Sequence, residues 1–285
     1  MKLLRLTFIF FMAIALQVNA QDYDILIKNG HEIDPKNEID GVMDVAIKDK
    51  KIAKVSKNIK EKSAKKVIDA EGLIVTPGLI DIHGHHFFGT ESHRDYNNSF
   101  SSLPPDGFTF RAGVTTVADA GSPGWKNFQT YKEHVINRSK TRVLVFINIV
   151  GEGMSGVSTR EQDTTDMSPK MTAMIARQNP EIIGVKIAHY RGHEWGPYKK
   201  AVQAAEIAKI PVMVDLGGAD PALPLSTLLL DVLRPGDILT HMYGGDHSGH
   251  GPKEGTLNAD GNVNNWSTLG KARMTEAIGT MLIQQ

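Results

Sequence analysis

The chain has 285 residues, with 32 basic and 32 acidic side chains, so its formal net charge is zero. This length is enough to bury a sizeable core, and the balanced charge gives no electrostatic basis for nucleic-acid binding. The chain contains no cysteine, which excludes disulfides and thiolate metal sites, so any metal must be held by nitrogen and oxygen atoms.

Residues 1–20 have the features of a secretory signal peptide. Two basic residues in MKLLR precede the apolar run LTFIFFMAIAL, whose 11 residues are too few to span a bilayer comfortably. Small side chains at Val18 and Ala20 predict cleavage after Ala20. An uncleaved membrane anchor is the alternative. We therefore expect an exported protein, periplasmic or secreted, without membrane contact after cleavage, and the lack of disulfides favours a bacterial periplasm.

Residues 21–76 are predicted to form a small β unit. The segment YDILIKNG alternates in polarity, and we expect its strand to end in a turn at Asn29-Gly30. The run DVAIKDKKIAKV repeats the pattern around a charged turn at 49–51, and KKVIDAEGLIVTPG supplies a third short run. Three or four short strands are therefore expected before Pro77.

From Pro77 onward, short apolar runs alternate with helical segments. The runs cover residues 79–83, 114–121, 142–151, 181–189, 210–218 and 237–245. The helical segments are NFQTYKEHVINRSK, SPKMTAMIARQ, PYKKAVQAAEIAK and LSTLLLDVL. Such alternation predicts βα units and a parallel sheet. Since no glycine-rich phosphate loop follows the first strand, a (β/α) barrel is favoured over an open sheet.

Metal-ligand and acid–base residue types stand at the ends of these runs, where a (β/α) barrel places its active site. In PGLIDIHGHH, His83 and His85 are two residues apart and so share one face of a strand, from which both rings reach one metal ion. His86 is expected to point into the loop. Lys186 lies inside the apolar run IIGVKIA, where an unpaired ammonium is costly. The other strand-end candidates are Asp119, Asn148, Asp215 and His241.

Each candidate also has a plain structural interpretation. The strand 1 histidines could lie in a surface loop, and the Lys186 amine could extend to solvent along its apolar stem. Asp215 could cap a helix, and His241 could be a core residue bonded to a carbonyl. Arg191, beside Tyr190, suits a substrate carboxylate or a solvated loop equally well.

The stretch PGLIDIHGH after VIDAEGLIVT, together with PPDGFTFRAGVTTVADAGSPG, GVKIAHYRG and RPGDILTHMYGG, resembles the amidohydrolase superfamily. The similarity is to its dihydroorotase-like and deacetylase branch and extends from residue 22 to about 265. It implies an α/β fold: a TIM-type (β/α) barrel over residues 77–285 after the N-terminal part of a β-sandwich over residues 21–76. The partner it implies is a small-molecule substrate, and homo-oligomerisation stays open.

The resemblance also implies roles for the strand-end residues. His83 and His85 would bind the more buried of two divalent metal ions, for which zinc is expected. Lys186 would be carbamylated and bridge the two ions, and His241 would bind the second. A bridging hydroxide would attack the carbonyl carbon of a cyclic amide, an N-acyl amino acid or an acetyl ester.

Two positions depart from the family pattern. Asp215 stands where a histidine is usual, so either Asp215 or His189 would replace that ligand; otherwise His189 and Arg191 would bind substrate. Only 44 residues follow His241, and they read as a polar loop and a helix. We therefore expect six barrel strands, a C-terminally truncated member without the usual strand 8 aspartate, and reduced stability and activity.

Two other functions stay open at this point. One is a metal-binding remnant of such an enzyme, with impaired catalysis. The other is a mononuclear deaminase of the same superfamily, against which Lys186 argues because a single-ion site needs no bridging carbamate.

Overall fold

The computed structural model describes residues 21–94, 96–154, 160–215, 219 and 223–240. They divide into two compact units, and the boundary lies between Pro77 and Gly78. The predicted signal peptide at 1–20 lies outside these ranges. The end of the sixth predicted strand, with His241, and the predicted loop and helix that follow it also lie outside the described residues.

The first unit is a five-stranded sheet. Its strands are β1 (Tyr23–Asp34), β2 (Ile39–Lys48), β3 (Lys51–Ser56), β4 (Ala64–Asp69) and β5 (Ile74–Val75). They lie in the order β3-β2-β1-β4, and β5 also pairs with β1. The buried side chains Leu26, Ala46, Ile59 and Ala64 form its small core.

The expected turn at Asn29-Gly30 is wrong, because β1 continues through both residues. The β1–β2 register shifts between Ile27 and Gly30, which is a bulge. Asn29 has a φ of 60°, and its amide donates to Asp44 Oδ1 at 3.0 Å. A bulge uses the left-handed backbone that Asn and Gly tolerate, so the same dipeptide serves either purpose. The hairpin turn between β2 and β3 lies at 49–50, inside the turn predicted at 49–51.

The second unit is built on a six-stranded parallel sheet that forms a partial barrel. Its strands are β6 (Leu79–Gly84), β9 (Val114–Gly124), β10 (Arg142–Asn148), β11 (Ile182–Ile187), β12 (Val212–Val214) and β13 (Ile238–Leu239). They lie in chain order, from β6 at one edge to β13 at the other, and every pairing is parallel. The predicted six βα strands are confirmed. The small sheet of β7 (Phe87–Glu91) and β8 (Asn97–Ser99) was not predicted.

Helices follow four of the barrel strands. They are α1 (Phe128–His134), α2 (Pro169–Gln178), α3 (Gly196–Ala208) and α4 (Leu225–Thr227), which continues as a wider π turn over Leu228–Val232. Ser168 caps α2, since its Oγ accepts from the amide of Met171 at 3.3 Å. The first predicted helix is shorter than expected, because a 3-10 turn replaces it from Ile136. Within the described part of the chain, no helix is long and apolar enough to cross a membrane.

Candidate metal centre

The carboxyl ends of the barrel strands bring most of the predicted site residues to one edge of the sheet. Asn148 on β10 lies in register with Lys186 on β11, and Lys186 lies in register with Met213 on β12. Asp215 follows directly after β12, and His83 lies near the end of β6. Parallel strands end at the same edge, so this arrangement gathers polar groups that are distant in sequence.

Lys186 is the most unusual residue at this edge. Its side chain is 0% exposed, and its Nζ has no hydrogen-bond partner among the described residues. Burial lowers the pKa of Lys186 to about 8, against the opposing effect of the Asp215, Glu161 and Asp119 carboxylates. At pH 8 about half of these amines are therefore neutral and nucleophilic.

Gly121 holds the stem of Lys186 in place. Its φ is +97°, and a Cβ atom at this position would lie 2.5 Å from the Cγ and 2.8 Å from the Cβ of Lys186. The Gly121 carbonyl also accepts from Nδ2 of Asn148 at 3.1 Å. The lysine stem therefore packs directly on backbone, in a space that only glycine leaves open.

The strand 1 histidines lie close together, as their spacing predicts. The ring centroids of His83 and His85 are 5.7 Å apart in an edge-on arrangement. The His85 ring stacks on Tyr96 with centroids 4.4 Å apart, and its Nδ1 lies 3.2 Å from Ser122 Oγ. Burial, followed by the charges of His83 and Lys186, lowers the pKa of His85 to about 2. His85 is therefore a neutral imidazole that can bind a cation.

Asp119 holds the backbone beside His85 in place through hydrogen bonds. It is 0% exposed and accepts hydrogen bonds from the amides of His86 and Ser122, both at 2.7 Å, and from the Tyr131 hydroxyl at 3.1 Å. Burial raises the pKa of Asp119, although the charge of His86 and the hydrogen bonds from His86 and Ser122 act in the opposite direction. The His86 ring lies at the Leu103 carbonyl, with Nδ1 at 3.1 Å, so it turns into the loop as expected. Asp119 thereby fixes the backbone on which His85 and its partner Ser122 stand.

The two residues proposed for the missing strand 5 histidine lie next to each other. Nε2 of His189 is 3.6 Å from Oδ2 of Asp215, and Nδ1 of His189 is 3.0 Å from Oε2 of Glu161. Burial on its own would lower the pKa of His189. The hydrogen bond that the ring donates to Glu161, with the charges of Glu161 and Asp215, outweighs that effect and raises the pKa of His189. Sequence reasoning missed Glu161, which lies in a polar segment without periodicity.

Two predicted residues, Arg191 and His241, remain to be considered. The Arg191 side chain is exposed, and its backbone amide donates to Oε1 of Gln162 at 2.7 Å. Its contact with substrate stays a prediction. His241 lies outside the described residues, so its role as a ligand also stays a prediction.

The described donors fit a metal centre only in combination with further groups. Over the ranges that the structure describes, no three His, Asp or Glu side chains are close enough to hold an ion by themselves. The pair of His83 and His85 supplies two imidazoles, and the unpartnered buried amine of Lys186 supplies an anionic oxygen donor if it is carbamylated. The donor set therefore fits hard or borderline divalent ions bound by nitrogen and oxygen.

Comparison with known proteins gives no match to a protein-family model but several related proteins. Deacetylase Atu3266 of Agrobacterium fabrum is 31% identical over 204 residues, which is 69% of this chain and 47% of that protein. The crystal structure of an adenine deaminase matches with a TM-score of 0.68 and 29% identity, over 91% of this chain and 64% of that one. The crystal structure of a dihydroorotase matches with a TM-score of 0.64 and 27% identity, over 80% and 59%.

The chain spans about half of the length of the curated deacetylases that it matches. The dihydroorotase and adenine deaminase structures nevertheless share its barrel architecture. These likenesses agree with the resemblance of the PGLIDIHGH segment and with the parallel six-stranded sheet. The chain belongs to the amidohydrolase superfamily.

Proposed function

We propose that the protein is a metal-dependent hydrolase that cleaves an amide or ester bond by adding water to the carbonyl carbon. The observation that carries the proposal is Lys186, a wholly buried amine with a pKa lowered to about 8 and no hydrogen-bond partner among the described residues. A lysine kept only for structure would have its charge paired or exposed. The names of the related deacetylase and dihydroorotase support a cyclic amide, an N-acyl amino acid or an acetyl ester as substrate.

The neutral form of Lys186 can be converted to an anionic ligand. The Nζ lone pair attacks the carbon of CO₂, an N–C bond forms, and one C=O electron pair moves to oxygen. Loss of a proton from Nζ to solvent leaves a carbamate with one negative charge. Burial favours this reaction because it lowers the pKa of the amine and so raises its neutral fraction.

The proposed ligands are His83 and His85 for one ion, His241 for a second, and the carbamate of Lys186 between them. His189 or Asp215 would complete the set. Two divalent ions held there would polarise the scissile carbonyl and lower the pKa of the attacking water.

The remaining residues of the site would orient these groups. Ser122 engages Nδ1 of His85, which leaves Nε2 as the ring atom for an ion. Asp119 holds the amides of His86 and Ser122 and so keeps this ring pointing at the strand ends. Such contacts behind a ligand commonly set its direction.

A second candidate function is a deaminase, favoured by the likeness to the adenine deaminase structure. Such an enzyme would add water to the ring carbon that bears the amino group and would release ammonia. Lys186 favours the first proposal, because a mononuclear deaminase site has no need of a bridging carbamate. Ammonia release from adenine, with no turnover of amides or esters, would favour the second.

The first experiment is the divalent metal content of the purified chain, measured together with Lys186→Ala. We expect about two ions per wild-type chain, and activity on at least one of N-acetyl amino acids, dihydroorotate, hydantoins or acetyl esters. Lys186→Ala should lose metal and activity, and short carboxylic acids should restore part of both. Lys199→Ala, an exposed lysine on α3, is the matched control and should change neither. Full metal and activity in Lys186→Ala would refute the proposal.

We also propose that the chain is exported, because residues 1–20 carry the basic, apolar and small-residue regions of a signal peptide. N-terminal sequencing of the protein from a bacterial periplasmic fraction should begin at Gln21. An intact Met1 on membrane-bound protein would instead indicate the uncleaved anchor.

A further inference from the structure

A short turn at residues 160–162 lies against the loop that follows β11. Its Gln162 side chain uses both ends of the amide: Nε2 donates to the carbonyl of His189 at 2.8 Å, and Oε1 accepts from the amide of Arg191 at 2.7 Å. His189 has a φ of +54°, a left-handed conformation that is unfavourable for a residue with a Cβ. Gln162 therefore holds the backbone that directly follows His189, through one hydrogen bond on each side of Tyr190.

The neighbouring residue of the same turn controls the His189 ring. Glu161 is only 4% exposed, and its Oε2 lies 3.0 Å from Nδ1 of His189. An ionised carboxylate can only accept a hydrogen bond, so Nδ1 must carry the proton. In either protonation state of the ring, Nε2 is then the atom directed at Asp215.

The gap between His189 and Asp215 suits a shared cation. Nε2 and Oδ2 are 3.6 Å apart, beyond the length of a good hydrogen bond. A neutral imidazole nitrogen and a carboxylate oxygen are both common ligands of zinc-like ions. A carboxylate behind a histidine ligand fixes its tautomer and its direction, which is the relation of Glu161 to His189.

We infer that Glu161 is a positioning residue that presents Nε2 of His189 beside the Asp215 carboxylate, so that the two side chains act as one nitrogen–oxygen ligand pair. The inference rests on the proposed metal site and deepens it. The position usually filled by a strand 5 histidine is shared: Asp215 supplies the oxygen from the strand, and His189 supplies the nitrogen from the neighbouring loop. Neither residue replaces the histidine alone.

The test is Glu161→Gln, compared with Glu181→Gln. Glu181 lies just before β11, at the opposite end of that strand, and its carboxylate pairs with Lys132 at 2.9 Å. Glu181→Gln therefore removes one partly buried carboxylate without touching the site. Two quantities are measured in wild type and both variants: the ¹⁵N shifts of the His189 ring in metal-free protein, and the zinc affinity by chelator competition.

We expect wild type and Glu181→Gln to show a protonated Nδ1. Glu161→Gln should shift the proton toward Nε2, because the glutamine amide can donate to Nδ1, and should weaken zinc binding by about 10–100-fold. If Glu161→Gln does not fold, Glu161→Asp decides. It keeps the charge but withdraws the oxygen by one methylene, so the affinity should fall by less while Nδ1 stays protonated.

An unchanged tautomer, or an unchanged zinc affinity in a variant whose tautomer has shifted, would overturn the inference. Its failure differs from a failure of the proposed function. A wild type that binds no zinc refutes the metal site, whereas a zinc-binding wild type with an indifferent Glu161→Gln refutes only the positioning role.

Discussion

Gly121→Ala is the sharpest structural test of how Lys186 is held. A φ of +97° is unfavourable for alanine by about 1–2 kcal/mol. The new methyl would also lie 2.5 Å from the Lys186 Cγ, and overpacking of this kind costs about 1–3 kcal/mol. The sum of about 2–5 kcal/mol corresponds to a fall in Tm of about 4–20 °C for a domain of this size. Thermal unfolding followed by circular dichroism measures it.

Gly236→Ala separates the cost of the backbone conformation from the cost of overpacking. Gly236 has a similar φ of +90°, but a Cβ there would meet nothing within 4 Å, so only the backbone term should apply. Lys186→Ala should relieve the contact, so Gly121→Ala should be less destabilising in that background than in wild type. Equal losses of stability in Gly121→Ala and Gly236→Ala would show that Gly121 is not packed against the Lys186 stem.

Three further predictions concern buried or multiply bonded polar groups. Tyr131→Phe removes the hydroxyl that donates to buried Asp119, and should lower the free energy of unfolding by about 1.5–3 kcal/mol in denaturant titration. Asp237→Asn should destabilise by a comparable amount, because this buried carboxylate accepts from a strand amide at 2.7 Å and from an arginine side chain. For Asp106, desolvation raises the pKa, but the hydrogen bonds from the Lys140 and Thr141 amides lower it below its usual value overall. The stability advantage of wild type over Asp106→Asn should therefore be complete above the usual Asp pKa and vanish as pH falls through the lowered value; an advantage that persists in strong acid would contradict this.

The order of the barrel strands could be predicted because their pattern is local. A parallel strand covered by helices has the sequence of a short apolar run. The strands formed by the six runs lie side by side in the sheet in the order in which they occur along the chain. The Asn-Gly dipeptide at 29–30 could not be assigned from sequence, since both a hairpin and a bulge need a left-handed residue. The pair β7 and β8 could not be predicted, because both strands are short and neither FFGTE nor NNS alternates between apolar and polar residues.

Some residues of the candidate site could likewise be predicted from the sequence, and others could not. The placement of His83, His85, Lys186 and Asp215 at strand ends could be predicted because it follows from the apolar runs themselves, while their roles stay predictions. Glu161 could not be found in this way, because it lies 28 residues before His189 in a polar segment and reaches it only through the fold. Its only sequence signal is composition, which does not distinguish a buried carboxylate from a solvated one.

The charges around Lys186 connect the proposed carbamate to the proposed ions. The carboxylates of Asp215, Glu161 and Asp119 all favour the protonated amine, so without other cations they work against its neutral form. Carbamylation would reverse the charge of this side chain and place a fourth anion among three buried or nearly buried carboxylates. Such repulsion at low dielectric is severe unless cations lie between the groups. Carbamate formation and metal binding at this site should therefore be strongly coupled, each being unfavourable without the other.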